Sequence, residues 1–365
     1  MFIYENKNWP EFFWDSEKLL PLISKVRNFQ GQIIGKMGAF GFELKDQANL
    51  EILTLDVLKS TEIEGEKLDQ DQVRSSIAKR LGIEISGLTN SDRHIDGVVD
   101  MMLDATGKYN KKLSQDRLFG WHNSLFPTGF SGLRKIIVAN WRDESSGPMQ
   151  VVSGPLGKEK IHFQAPNAKD LGDETTVFLN WMNSNSKTDL VLKSGIAHLW
   201  FVTLHPFEDG NGRIARAITD MILARSDEQP YRFYSMSTQI RKERKKYYDI
   251  LEKTQKGTLD ITNWLEWFLN CLLNSLKASE TVLSKVIFKH NFWLENNDKI
   301  ANDRQRKILN ILLDGFEGNM NTSKWAKISK CSQDSALRDI QDLIKKNILY
   351  KLPKGGRSTS YSIKK

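Results

Sequence analysis

One stretch of twelve residues, His205-Pro206-Phe207-Glu208-Asp209-Gly210-Asn211-Gly212-Arg213-Ile214-Ala215-Arg216, gathers a titratable ring, a carboxylate, two glycines and two arginines. Those residue types suit a phosphorylated ligand. The glycines let the backbone approach an anion closely, and the first amides of a helix starting near Gly212 have no carbonyl partners and point outward. Arg213 and Arg216, three apart on that first turn, present both guanidiniums to one anion. Two cations at a helix N-terminus oppose its dipole, so their presence implies something negative between them. Asp209 is a hard oxygen ligand directly before the cradle. It is placed to hold Mg²⁺, which commonly binds through one or two carboxylates plus substrate phosphates. His205 titrates near neutral pH and lies across the loop, where it can take a proton from an attacking hydroxyl.

The elements that must hold this loop are legible on either side of it. A residue before proline is pushed out of the helical region, so the helix over 190–204 stops at the His205-Pro206 step. Ile214, Ala217, Ile218, Met221 and Ile222 recur at helical spacing and predict the next helix over 212–225. Upstream, the periodicity predicts a helix running from 49 through Ser60 to Glu64 and ending at Gly65. Another runs over 69–81 and ends at Gly82, and helical periodicity returns over 92–127 and 174–183. Downstream it predicts helices over 237–254 and 260–276, and a separate long one from 279 into 299. Residues 128–166 differ. Glycines and prolines there punctuate the β-prone runs 136–138, 151–152 and 161–163, which predicts a β-hairpin with its turn at Gly154-Pro155-Leu156-Gly157.

At this point the residues match a family. The stretch from His205 to Arg216 resembles the signature of Fic-domain proteins, H-x-F-x-[DE]-G-N-G-R-x-x-R, at every specified position. The resemblance implies an all-α core with a small β-hairpin flap and protein adenylyltransferase activity, the transfer of AMP from ATP to a Ser, Thr or Tyr hydroxyl. It implies His205 as general base, Phe207 as the loop's anchor and Asp209 as the Mg²⁺ residue. Gly210, Asn211 and Gly212 would form the anion hole, flanked by Ile214 and Ala215, with Arg213 on the β-phosphate and Arg216 on the γ-phosphate. The hairpin bearing Val151, Val152, Ser153 and Gly154 resembles the flap that aligns a target chain by strand addition. Tyr247 or Tyr248 resembles the position that contacts adenine. Upstream, Ser60-Thr61-Glu62-Ile63-Glu64-Gly65 matches the family's inhibitory pattern [ST]-x-x-x-E-[GN], implying that Glu64 pairs with Arg216 and misaligns ATP. The first 90 residues resemble the helical domain that accompanies Fic in many bacterial proteins.

The charge points to a further module. Residues 300–365 hold 14 of the 53 Lys and Arg but only 6 of the 45 Asp and Glu, leaving 39 of each in residues 1–299. The whole net charge of +8 therefore lies in the tail. Three short helices over 304–313, 322–329 and 333–346, then a hairpin over 349–363 with Gly355-Gly356 at its middle, follow the order of a winged helix-turn-helix. Ser332 is a good N-cap for the third helix. Arg338, Lys345 and Lys346 on that helix and Lys351, Lys354, Arg357 and Lys364 on the wing suit DNA, and equally an acidic protein partner.

With 39% hydrophobic residues over 365, the chain has ample material for two or three packed domains. The N-terminus carries no basic leader with an apolar run, and the longest apolar stretch, 196–204, is too short to span a bilayer; a soluble cytoplasmic protein is expected. Cys271 and Cys331 stand 60 positions apart, with no metal-knuckle spacing, as free thiols of a reducing compartment do. The expected organisation is a regulatory helical region over 1–90, a catalytic core over 91–276, a linker helix over 277–300 and a winged helix over 301–365. ATP, Mg²⁺ and a target protein are the expected partners, with no membrane; a homodimer stays open. One alternative keeps the fold but changes the chemistry, to removal of AMP or another phosphoryl or nucleotidyl transfer; a second, of another class, is a DNA-binding regulator whose core mainly senses ATP.

Overall fold

The computed structural model describes every residue except Ser86, 155–159, Glu317, 354–358 and Lys365, and the side chain of Ser146. The chain is mostly helical and divides into two compact units, Met1–Glu280 and Thr281–Lys365.

The first unit opens with α1 (Ser16–Gly38), α2 (Phe42–Ile63), α3 (Gln70–Leu81), α4 (Arg93–Gly107) and α5 (Gln115–Leu125). Their starts follow the expected cap chemistry: Asp69, Asp92 and Ser114 each accept a backbone amide of the first turn. Two short hairpins come next, β1 (Phe130–Ser131) with β2 (Arg134–Lys135), then β3 (Gln150–Ser153) with β4 (Lys160–Gln164). The helices resume with α6 (Leu171–Asn183), α7 (Leu190–Leu204), α8 (Asn211–Asp227), α9 (Met236–Lys242) and α10 (Arg244–Gln255). Then α11 (Thr262–Asn296) runs on past the boundary between the units.

The core sits around α7, buried from Val191 to Leu204 because it is apolar on nearly every face. Leu53 and Val57 of α2, Met101 of α4, Leu118 of α5, Phe201 of α7 and Ile218 of α8 belong to one continuous apolar cluster. Buried polar clamps then fix the N-terminal helices. Asp56 of α2 accepts hydrogen bonds from the Ser235 hydroxyl (2.6 Å) and the Ser237 amide (3.2 Å), and Asn49 accepts the Arg232 amide at 2.8 Å. Arg232 donates to Asp220 (2.9 Å) and Asp227 (3.2 Å), the latter also bound by Gln30 of α1.

Several element expectations need correction. Residues 136–138 form no strand: the Ile136 amide goes to the Gly129 carbonyl and the Ile137 amide to the Glu208 carboxylate, while Arg134–Lys135 pair instead. The helix expected over 237–254 is two, because Glu243 leaves helical geometry (φ −103°, ψ 23°). The break expected near 277 is absent, and Lys277-Ala278 continue α11 as good helix formers do. Of the turn expected at 154–157, residues 155–157 lie outside the described residues.

In the second unit, α12 (Asp303–Asp314), β5 (Met320–Asn321), α13 (Thr322–Ser329), α14 (Gln333–Lys345), β6 (Leu349–Lys351) and β7 (Ser360–Ile363) enclose a small core around Trp325, Ile340 and Leu343. Ser332 caps α14, its hydroxyl accepting the Ser335 amide at 3.2 Å. The strands form one antiparallel sheet in the order β5-β7-β6; β5, two residues long, carries too little periodicity to be read from sequence. Among the described residues no helix is long and apolar enough to cross a membrane.

Candidate active site

The His205–Arg216 loop joins two buried helices, and each turn of it has an identifiable cause. His205 caps α7 in the left-handed region (φ 47°), as the proline after it requires a non-helical exit. Gly210 takes φ 79° at the N-cap of α8, where an added Cβ would lie 2.9 Å from the Phe126 ring. Asn211 spends its side chain inside the loop: Oδ1 accepts the Phe207 amide (3.0 Å) and Nδ2 donates to the Phe207 carbonyl (2.8 Å). Phe207 is fully buried and stacks on His122, ring centroids 4.1 Å apart.

His205 carries its own tautomer signal. Its Nδ1 lies 3.4 Å from the Val202 carbonyl, so Nδ1 bears the proton and Nε2 keeps a free lone pair. Burial pushes the imidazole down to about 4. The Val202 carbonyl opposes this; the nearby Arg142 charge adds a smaller downward effect, against still smaller upward ones from Glu64 and Asp209. The ring is therefore neutral at physiological pH, the form a base needs.

Asp209 points to the loop's open side. One oxygen accepts the Gly210 amide and the other the Ser131 hydroxyl, with Arg213 Nη2 at 3.9 Å. Among the described residues no group of three or more His, Cys, Asp or Glu converges as a metal site. A half-exposed carboxylate beside Arg213 nevertheless fits an ion that takes its other ligands from phosphates and water.

The two arginines differ sharply. Arg213, 5% exposed, lies over the Phe126 ring and leaves Nε and Nη1 without a hydrogen-bond partner; its nearest carboxylates are Glu66 (3.6 Å) and Asp209 (3.9 Å). Arg216 is occupied. Its Nη2 donates to Glu64 at 2.7 Å and to the Ser60 carbonyl at 2.9 Å, and its Nε donates to the Ser60 hydroxyl at 2.8 Å, while Nη1 has no partner. Glu64 also lies over the loop's glycine, for a Cβ on Gly212 would sit 2.2 Å from its Oε1. The carboxylate thus stands at the outward amides where an anion would lie. Ile214 and Ala215 are buried in α8 behind it.

Tyr247 and Tyr248 part company. Tyr247 is buried, its hydroxyl 2.9 Å from His198 Nε2, and His198 Nδ1 reaches Thr219 at 3.0 Å. Burial holds His198 down at about 3, so the neutral ring accepts from Tyr247. Tyr248 is half-buried under Arg244, and burial, then Glu64, raises its hydroxyl. The flap's residues also stand apart from the core: Val151, Val152 and Ser153 are exposed, and β3 and β4 pair only with each other. Its β4 strand is held by His162, whose Nδ1 lies 2.6 Å from Glu252.

Sequence reasoning missed three residues here. His122 accepts the Ala139 amide at Nδ1 (3.2 Å), so its Nε2 donates to the Asp209 carbonyl (3.2 Å); burial holds it at about 4. Arg142 donates to the carbonyls of His205 (2.8 Å), Leu204 (3.5 Å) and Pro166 (2.6 Å). Glu66 stands between Arg213 and His94, 2.8 Å away; the Glu66 contact raises His94 and that same contact lowers Glu66. An isolated His, Arg or Glu carries no spacing signal, so none of the three was recoverable without the fold.

Residues 112–223 match the Fic/DOC family, and residues 2–83 match a domain of unknown function, DUF4172. A probable protein adenylyltransferase of Aquifex aeolicus is 31% identical over 87 residues, 24% of this chain and 25% of that protein. The protein adenylyltransferase Fic of Drosophila melanogaster is 30% identical over 113 residues, 30% of this chain and 21% of that one. This chain therefore spans a quarter or less of the length of these relatives. The crystal structure of a Fic family protein from Desulfovibrio desulfuricans shares the fold over 94% of this chain and 96% of its own, with TM-score 0.52 at 19% identity. A Fic-1 fragment from C. elegans does so over 73% of each, with TM-score 0.51 at 20% identity. Residues 112–223, with the loop that ends at Arg216 near their C-terminal end, are what this chain shares with the Fic/DOC family.

Proposed function

We propose that this chain transfers AMP from ATP to a hydroxyl side chain of a target protein or of itself, and that Glu64 holds that activity down. The observation that carries the reading is the Glu64–Arg216 pair lying across an anion-shaped loop whose other arginine, Arg213, leaves two buried nitrogens without a hydrogen-bond partner. Relatives 30–31% identical over part of this chain are named protein adenylyltransferases, which points the same way.

In the reaction, the acceptor oxygen attacks the α-phosphorus, His205 Nε2 takes its proton, and the bond to the β-phosphate breaks to release pyrophosphate. Catalysis of this kind is mostly positioning and charge neutralisation. The Asn211 and Gly212 amides and Arg213 hold the polyphosphate, in the turn that Gly210 makes possible, and Arg216, once freed, meets the γ-phosphate. Asp209 would hold Mg²⁺, which supplies further charge neutralisation at the phosphates. Tyr248 is the tyrosine left available for adenine, since Tyr247 is spent on His198. The exposed β3 edge over Val151 to Gly154 suits an extended target segment added as a third strand.

We further read residues 1–90 as regulatory, 91–276 as catalytic, 277–300 as a linker and 301–365 as a winged helix-turn-helix in an intracellular protein. The concentration of positive charge after residue 300 suits DNA or an acidic protein partner for that last module. Replacing His205 with Ala tests the catalytic reading: transfer should fall by about 10²–10⁴-fold with ATP still bound. Transfer near the native rate would remove His205 from the role.

A further inference from the structure

We propose that Arg142 is the positioning residue of this site, one guanidinium that fixes the His205 turn and ties it to the root of the β3–β4 flap. The proposal rests on His205 being the base. Arg142 grips three consecutive residues: its side chain donates to the carbonyls of Leu204 and His205, and its amide donates to that of Pro206 at 2.9 Å. The same side chain donates to Pro166, two residues past β4, at 2.6 Å. A planar fork reaching two chain segments at once is a task for arginine; a lysine ammonium is a point charge on a flexible stem.

The burial of this cation needs an explanation. Arg142 is 5% exposed and has no carboxylate in ion-pair range among the described residues. A buried charge without a counterion is costly unless dipoles take its place. Here the end of α7 takes it, because the last carbonyls of a helix lack intrahelical partners and carry the negative end of its dipole. The arginine thus settles a turn that is itself unfavourable, His205 being a non-glycine residue at positive φ.

Two consequences follow. The direction of Nε2 is set by a turn whose carbonyls are all held by Arg142. Of the charged groups facing the imidazole, Arg142 keeps it neutral, while Glu64 from the end of α2 and Asp209 from its own loop oppose that. A strand added at the flap also bears on the segment that ends at Pro166, so target docking and base orientation share one fastening point.

Arg142→Lys and Arg142→Met, each in the Glu64→Gly background, test this. Imidazole ¹⁵N spectra, with His205 assigned by its loss in His205→Ala, read tautomer and titration without any transfer reaction. Calorimetry with ATP and incorporation from α-labelled ATP read binding and rate. Both variants should lose at least ~10-fold in rate with ATP affinity changed less than about twofold. In Arg142→Met, His205 should lose its single Nδ1–H tautomer and titrate higher; Arg142→Lys, keeping the charge, should titrate low yet remain slow. Unchanged rate in both variants, or an unchanged His205 tautomer in Arg142→Met, overturns the proposal. If Glu64→Gly itself transfers no AMP, the functional reading fails, and the spectra still decide whether Arg142 orients the ring.

Discussion

At the residue scale the site divides into groups made for a ligand and groups made for the loop. Arg213 leaves two buried nitrogens without hydrogen-bond partners, a costly state that a phosphate would relieve. Asn211 and Phe207, by contrast, are satisfied within the protein. The pH dependence follows from His205. Its folded value is depressed, so the neutral, base-competent form persists as pH falls and is lost only on passing through about 4. Because Glu64 raises that value, Glu64→Gly should move the acid limb lower still. A kcat–pH profile of the Glu64→Gly variant should stay flat through the region near 6.5 where a free histidine titrates. A limb at 6.5 or above would contradict the assignment of the base. The twelve-residue loop was legible because its chemistry is contiguous. His122 and Arg142 were not, since they reach the loop only through packing across 87 and 63 positions.

At the element scale the question is how Glu64 could let go. It follows the last residue of α2, and α2 is fastened deep in the core through Asp56 and Asn49. Release therefore needs a local change at the helix end around Glu64-Gly65, not departure of the helix. Asp56→Ala should lower unfolding stability by about 1–3 kcal/mol in urea denaturation, because the Ser235 and Ser237 donors lose their buried acceptor. An unchanged midpoint would mean that Asp56 is not among the fastenings of α2. The flap makes a separate prediction. Val152→Pro should weaken modification of a protein target while leaving ATP affinity as it was, since proline removes a strand donor. Equal loss of both would assign β3 to the nucleotide instead. Most helices were legible from periodicity, but the 136–138 run was not: apolar composition suggested a strand, and the Glu208 carboxylate claimed its amide.

At the scale of the whole molecule, the two units carry different charge. The order of elements in the second was readable from its caps and apolar spacing, while β5 became visible only through its pairing with β7. Deleting residues 301–365 should leave transfer by the first unit intact and abolish binding to duplex DNA, whose affinity should fall steeply with salt. Binding that ignores salt, or none to any duplex, would assign the basic module to a protein partner.

The central claim is that a Fic-type AMP transfer site is held shut by Glu64. Incorporation of label from ATP at saturating Mg²⁺ tests it most directly, comparing the native chain with Glu64→Gly, with ATP labelled in turn at the α- and the γ-phosphate. The α-label should enter protein far faster with Glu64→Gly, on the order of 10²-fold if a misplacement of about 1 Å is being corrected. The γ-label should not enter, and adding Arg216→Ala should cancel the gain. Equal incorporation by the native chain and the variant, or entry of the γ-label, would contradict the account.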